Sequence, residues 1–383
     1  MTFMLLTAIV TLIISIIVSL ELVIGNRKLN ALRDVPPCYV ETPSRVSVIV
    51  PARNEQRNIR EALQSLLGLD YPDYELIVVD DRSEDSTGMI LDEMVRSFPR
   101  LKVIHIDQLP PGWLGKNHAM WVGSKQATGD LLLFTDADII MEPTVLNRAV
   151  AYMEQNEIDH LAAFPSLRMP TIFLSIFGVT FFMIFTIFVR PWKVRDANSR
   201  YHIGVGAFNL VRREVYRQIG GHETIRLRPD DDMKLGKIVK KGGFHQEVVF
   251  AQEFLAVEWY SSVREVIKGL EKNTFSGADY NIPLVLLGTL FLIFSIFWPL
   301  LALLITYGSV RIIYLIAVSI AILAFADFMR FYNIKAWCVF GLPLTSALLA
   351  YILLRTMLLN LYQGGIYWRD TFYSLKELKA NRI

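Results

Sequence analysis

The chain has 383 residues, 53% of them apolar, and a formal net charge of +2. That balance, with no long basic block, excludes a nucleic-acid surface, and no nucleic-acid partner is expected. Two cysteines, Cys38 and Cys338, are too few and too far apart for a disulfide framework or a cysteine metal site, which fits a reducing compartment.

Residues 3–24 form a nearly uninterrupted apolar run, long enough to cross a hydrocarbon core of about 30 Å. With neither a basic n-region nor a small-residue cleavage site, the run reads as an uncleaved anchor over residues 1–25. Arg27, Lys28 and Arg33 follow it, so the positive-inside rule places what comes next in the cytoplasm. Residues 26–44 read as a linker.

From residue 45 the pattern changes to alternating strand and helix. VSVIV (46–50) is short, β-branched and ended by Pro51, as a buried strand should be. Ile59, Ala62, Leu63, Leu66 and Leu67 repeat at helical spacing, with Asn54 available as a cap. ELIVV (75–79), KVIHI (102–106) and LLLFT (131–135) add three strands, separated by further helices. The order predicts a parallel sheet covered on both faces.

Ligands of open α/β sheets bind beyond the carboxyl ends of the strands. Three acidic clusters are predicted at that edge: Asn54-Glu55, Asp80-Asp81, and Asp136 with Asp138. One such cluster is as easily a cap or a turn; three at one edge suggest a site. No G-x-G-x-x-G follows the first strand and no Walker loop occurs, which excludes the usual dinucleotide and P-loop readings.

Residues 172–189 are apolar and long enough to span a membrane. Pro170, Arg190, Pro191 and Trp192 bracket them, and residues 170–192 are expected to be an interfacial or buried helix. Residues 282–306, 310–326 and 338–360 are three more apolar runs, giving a membrane region over 280–360. A polar tail occupies 361–383. Three full crossings would put that tail on the far side from the α/β domain. Either one segment is re-entrant or the tail is an exception.

Four segments, VSVIVPARNEQRNIREALQSLL, ELIVVDDRSEDST, GKNHAMWVGSKQATGDLLLFTDADI and RPDDDMKLGKIV, together resemble the inverting family 2 glycosyltransferases of GT-A fold. The resemblance covers residues 46–241. GWLGKNHA (112–119), the flanking apolar segments and GGIYWRDTFY narrow it towards the carotenoid and hopene-associated members. It implies an α/β GT-A domain over residues 45–279, Rossmann-like with a mostly parallel sheet and facing the cytoplasm, between transmembrane helices at both ends of a multi-pass cell-membrane protein.

Site roles follow from the same resemblance. Asp136-Ala137-Asp138 matches the family's D-x-D, with Asp138 a ligand of Mn2+ or Mg2+ and Asp136 contacting metal, nucleoside or sugar. Such a cation is chemically apt, since it takes one or two carboxylates together with substrate phosphates. An extended segment would point both carboxylates the same way. Pro51, Ala52 and Glu55 match the segment lining the uracil and ribose pocket, and Asp81 the acid that holds the base. Arg82 stands where many members have Gly. Lys116 matches a lysine near the diphosphate, and His118 beside it reads as a packing or hydrogen-bonding residue. Asp232 matches the catalytic base and Asp231 the acidic residue before it; Asp230 makes a one-residue slip possible. Gly204 and Gly206 match the donor-sugar segment, and Gly220-Gly221 a turn before the acceptor region.

The expected activity is transfer of one sugar, glucose first, from a UDP-sugar to a membrane lipid or terpenoid. The Q-x-x-R-W motif of processive synthases is missing from residues 263–277, which favours single transfer. A polyprenyl-phosphate sugar transferase and a non-catalytic membrane scaffold are the alternatives. Metal-dependent UDP binding separates the scaffold from both enzymes.

Overall fold

At the centre of the sheet, VSVIVPA (β1, Val46–Ala52) is buried along nearly its whole length, as a strand covered on both faces must be. The computed structural model describes residues 2–38, 43–332, 334–369 and 371–383. Of the predicted 26–44 linker, residues 39–42 lie outside these. The chain divides into two units. One comprises Leu29–Arg168, Pro191–Trp259 and Lys376–Ile383; the other comprises Met1–Lys28, Met169–Arg190 and Tyr260–Leu375.

The first unit is built on strands β1, β2 (Tyr74–Asp81), β3 (Leu101–Ile106), β4 (Leu131–Phe134), β5 (Ile139–Met141), β6 (His160–Phe164), β7 (Ser166–Arg168), β8 (Asn209–Arg212), β9 (Gln246–Phe250) and β10 (Leu255–Glu258). Among the described residues seven of them form one sheet in the order β3-β2-β1-β4-β8-β6-β9. All neighbours are parallel except β8, which is antiparallel to both β4 and β6. The sheet is mostly parallel and α/β in class. A second, three-stranded sheet runs β5-β10-β7.

Period-two alternation sorts the core between the two faces of the large sheet. Val46, Val48 and Val50 join Leu63, Leu66 and Leu91 on one face. Ile49, Leu132, Phe134 and Val211 join Leu235 and Val239 on the other. The helix Ile59–Leu67 buries Ile59, Ala62, Leu63 and Leu66 as its spacing requires. Its N-cap is Asn58 rather than Asn54. Asn54 instead sits at φ 56° and accepts the Glu84 N–H on its side chain at 2.8 Å.

The second unit is helical. Among the described residues five helices are long and apolar enough to cross a membrane, within Phe3–Asn26, Ile172–Lys193, Ile282–Ile305, Gly308–Arg330 and Ala336–Gln363. Polar side chains join them: Trp298 Nε1 donates to Tyr314 OH at 3.0 Å, which donates to Thr7 Oγ1 at 2.9 Å. Thr180 and Thr345 hydroxyls meet at 2.8 Å. Arg27 forks onto both Asp327 oxygens at 2.8 and 2.7 Å.

Candidate active site

Pro51 and Ala52 end β1 opposite Val79 and Asp80 of β2. Pro51 has no N–H to give a ladder, and pairing with β4 has already stopped at Ile49. The two loops that follow β1 and β2 are knitted together. Glu55 N donates to Thr87 Oγ1 at 2.8 Å, Asn54 N to Ser83 Oγ at 3.0 Å, and Gln56 N to Asp85 Oδ2 at 3.2 Å. This fixes the Glu55 backbone against the loop that follows β2, with its charge acting on Asp138.

Those carboxylates have different partners. Asp80 is taken by His105, Nδ1 to Oδ2 at 2.9 Å, and by the Ser83 N–H at 3.3 Å. Asp81 is gripped by its neighbour: Arg82 Nε and Nη2 lie 2.8 and 3.0 Å from its two oxygens. Arg82 has φ 56°, a left-handed conformation that costs a residue bearing a Cβ roughly 1–2 kcal/mol. Asp81 also packs against Gly115, where a Cβ would collide with its carboxylate.

Asp136-Ala137-Asp138 departs from the extended geometry expected of it. β4 stops at Phe134, and the acids sit on a turn that leads into β5 of the smaller sheet. The cause is a tether to a segment distant in sequence: Thr135 Oγ1 donates to Ala207 O at 2.8 Å and Asp136 N to Gly206 O at 3.1 Å. These bonds pull the chain onto the 204–208 segment and out of the ladder. Ala137 is 6% exposed between two half-buried acids, and Asp136 is close enough to Asp138 to help raise its pKa.

Lys116 ties the site together. Its Nζ lies 2.8 Å from Asp136 Oδ1 and 3.3 Å from Asp231 Oδ2. Burial opposes its charge, but Asp136, Asp231 and Asp232 outweigh that and hold the ammonium above its ordinary pKa. Asn117, the next residue, donates from Nδ2 to Ile225 O at 2.8 Å and Arg228 O at 2.9 Å. One short helix, Gly115–Gln126, thereby sets both the lysine and the approach to the acidic triplet. His118 on the same helix packs edge-on against Trp113 at 5.3 Å and stacks near Trp121 at 6.0 Å. Burial lowers its pKa, as befits a packing residue.

The triplet separates by partner. Asp230 pairs with Arg228 at 3.2 Å and Lys234 at 3.2 Å, both almost fully buried. Asp231 faces Lys116. Asp232 accepts the Gly206 N–H on Oδ2 at 3.0 Å and the Met233 N–H on Oδ1 at 2.7 Å. Asp231 and Asp232 open the helix Asp231–Lys241, where acids suit the dipole. Burial raises Asp231 to about 7, partly countered by Lys116 and reinforced by Asp232 and Asp136. Burial also raises Asp232.

Asp138 is likewise raised to about 7, by burial first and then by Asp136 and Glu55. A carboxylate crowded by two others has a physical need for a cation. Among the described residues no three His, Cys, Asp or Glu side chains converge on one point. A divalent ion here would therefore take one or two protein carboxylates and complete its shell from substrate and water, which is how Mg2+ and Mn2+ are commonly held. The donor set fits.

Lys116, Asp136, Asp231, Asp232 and Gly206 are thus linked directly, Asp138 and Glu55 by their charges, and Asp81 through Gly115. Sequence reasoning passed over Asn117 and Arg228, which position the site without facing it. Their signal was adjacency to Lys116 and to the triplet.

Residues 47–220 match the family model described as Glycosyl transferase family 2. That stretch, less than half of the chain, is similar to the family 2 glycosyltransferases. The 4,4'-diaponeurosporenoate glycosyltransferase of Staphylococcus aureus (strain USA300) is 24% identical over 244 residues, 63% of this chain and 64% of the relative. The protein of strain MRSA252 matches to the same extent. The chain spans less than two thirds of the length of these curated relatives. Among solved structures, a Pyrobaculum calidifontis mannosyltransferase in complex with GDP-Man and Mn2+ superposes with a TM-score of 0.55 at 17% identity. That likeness covers 90% of this chain and 99% of the other, and it identifies the large sheet as that of a GT-A fold.

Proposed function

We infer that the protein is a membrane-bound, inverting glycosyltransferase that moves a single sugar from a UDP-sugar, UDP-glucose first, to a lipid or terpenoid hydroxyl or carboxyl. The observation that carries this reading is the junction of Lys116 with Asp136 and Asp231, 2.8 and 3.3 Å away, beside Asp232. It gathers a base, a cation and a D-x-D at the carboxyl edge of a GT-A sheet. The S. aureus relative, named for a carotenoid acid, supports a terpenoid acceptor.

In this reading Pro51, Ala52, Glu55 and Asp81 receive the nucleoside and Lys116 approaches the diphosphate. Asp138, with Asp136, would hold Mn2+ or Mg2+. When bound, such an ion offsets the charge that builds on the leaving diphosphate. The acceptor oxygen attacks the anomeric carbon while the bond to the diphosphate oxygen breaks, and the acceptor proton passes to Asp232. Two backbone N–H groups aim that carboxylate, and its raised pKa makes it a stronger proton acceptor. The Gly206 backbone, close to both Asp136 and Asp232, leaves room for the sugar.

Incubating membranes that contain the protein with labelled UDP-sugars, then analysing the lipid extract, tests donor and acceptor together. Label is expected in an apolar glycolipid, abolished by chelation and by Asp232→Asn. Lipid extracts that stay unlabelled with every nucleotide-sugar would overturn the reading.

A further inference from the structure

Two excursions leave the sheet-bearing unit and return to it. The first passes through Met169–Arg190. β6 precedes it and β8 follows it, and the two pair in one sheet with Leu161 opposite Leu210. The second passes through Tyr260–Leu375. After it, Asn381 donates from Nδ2 to Thr224 O at 3.0 Å and accepts the Leu227 N–H on Oδ1 at 3.0 Å. One hydrogen-bonded body cannot stand on both sides of a bilayer, because broken backbone pairs in hydrocarbon cost several kcal/mol each. Each excursion must therefore make an even number of full crossings. The first holds one long apolar helix, Ile172–Val189, and so makes none. The second holds three, Ile282–Ile305, Gly308–Arg330 and Leu342–Gln363, of which at most two can cross.

Contacts inside the helical unit say which two. Near their N-termini, Thr2–Asn26 and Gly308–Arg330 meet through Ala8 with Val310 and Tyr314. Near their C-termini they meet through Arg27 and Asp327 at 2.7 Å. These helices run in the same direction. Ala302, close to the C-terminal end of Ile282–Ile305, joins the Ala8 cluster, so that helix runs the opposite way. Thr306 and Tyr307 make its turn into Gly308–Arg330. The pair is a hairpin that goes out and comes back. Arg27, Lys28, Arg330 and Lys335 then gather on the return side, as the positive-inside rule requires of a cytoplasmic face.

The other two helices stay at that face. Arg190, ending Ile172–Val189, pairs with Glu21 at 3.2 Å, in the last turns of Thr2–Asn26. Arg355, midway along Leu342–Gln363, pairs with Glu271, which precedes the outgoing helix. Thr180 and Thr345 join the two at 2.8 Å. Their outward side chains are apolar, with Phe188, Leu344 and Leu358 each more than 60% exposed. A face of that kind suits acyl chains.

We propose that Thr2–Asn26, Ile282–Ile305 and Gly308–Arg330 span the bilayer, while Ile172–Val189 and Leu342–Gln363 form a pair embedded in the leaflet where Thr2–Asn26 and Gly308–Arg330 end. The occupant of that apolar face is the bilayer itself. The N-terminus lies on the far side of the bilayer from that pair and the C-terminus on the near side.

Single cysteines test this in the full-length protein with Cys38→Ser and Cys338→Ser. A membrane-impermeant maleimide is applied to sealed cells and to inverted vesicles. Tyr307→Cys should label in cells, whereas Asn198→Cys, Lys335→Cys and Lys379→Cys should label only in inverted vesicles. Label at Lys335→Cys or Lys379→Cys in sealed cells, or at Tyr307→Cys only in inverted vesicles, overturns the assignment. Where a variant is not produced, fluorescent protein and alkaline phosphatase fused in turn to Ile383 read the C-terminal side. Fluorescence without phosphatase activity is expected; phosphatase activity overturns the proposal.

Discussion

The Gly206 backbone N–H donates to the Asp232 carboxylate at 3.0 Å. A Cβ at Gly206 would stand 2.6 Å from Asp136 Oδ2 and 3.6 Å from Asp232 Oδ2. Gly206→Ala should therefore push Asp136 off Lys116 while leaving the fold intact. The expected result is a loss of turnover on the order of 10²-fold, as for other small displacements at a reacting centre. Turnover and thermal melting of the detergent-solubilised protein would be measured side by side.

Asp230 and Asp232 should behave oppositely on amidation. Asp232→Asn removes a proton acceptor and is expected to lower turnover by roughly 10²–10⁴-fold with donor binding kept. Asp230→Asn neutralises a carboxylate that is paired with Arg228, which is fully buried, and with Lys234. That should cost on the order of 3–5 kcal/mol of stability, seen as a lower Tm. Equal turnover losses with equal Tm would contradict the division of labour.

Two buried acids should make stability depend on pH in opposite senses. Asp231, raised to about 7, is protonated in the fold below that pH and ionised when unfolded above its ordinary value. Its contribution to stability is thus present at low pH and declines as pH rises from roughly 4 to 7. Glu75 works the other way. Burial would raise its pKa, but Lys102, Thr128 and Ser47 together bring it down to about 2. Its contribution is full above roughly pH 4.5 and is lost as pH falls through about 2. Asp231→Asn should flatten the first dependence, and Glu75→Gln the second, in melting curves taken across pH.

Arg82→Gly relieves the positive φ but frees the Asp81 carboxylate from its guanidinium. If the pair receives the base, UDP affinity should fall several-fold while Tm changes little. Titration calorimetry with UDP, CDP and GDP would read this out. A variant that binds all three as the native protein does would remove Arg82 from donor recognition.

Legibility in the sequence tracked burial chemistry. β1, β2 and β4 were readable because they are continuous apolar runs enclosed on both faces, and β3, half-exposed at the sheet edge, by its β-branched residues; the parallel α/β class followed from them, the GT-A fold only from the resemblance. β6, β8 and β9 were not readable, because each carries a polar residue that looks like loop. In the fold those residues satisfy one another: His160 Nε2 meets Asn209 Oδ1 at 3.1 Å, and Gln246 Nε2 meets His160 Nδ1 at 2.7 Å. No periodicity reports a partner that arrives from a distant strand. The D-x-D acids were visible as a motif. Their turn was not, since Thr135 and Asp136 are tethered to Ala207 and Gly206, far along the chain. Lys116 could be named from GKNHA, but its place between two acids depends on Asn117 holding the 225–228 carbonyls.

The antiparallel strand β8 has a consequence for how the protein is made. β4 pairs with β1 on one side and with β8 on the other. During synthesis β4 emerges long before residues 209–212, and the apolar helix Ile172–Val189 emerges between them. Until β8 arrives, the nascent sheet carries an open edge of the kind that templates aggregation. Translation thus presents a greasy helix while the half-built sheet is still unsealed, and early delivery of that helix to lipid would keep the two from sticking to each other.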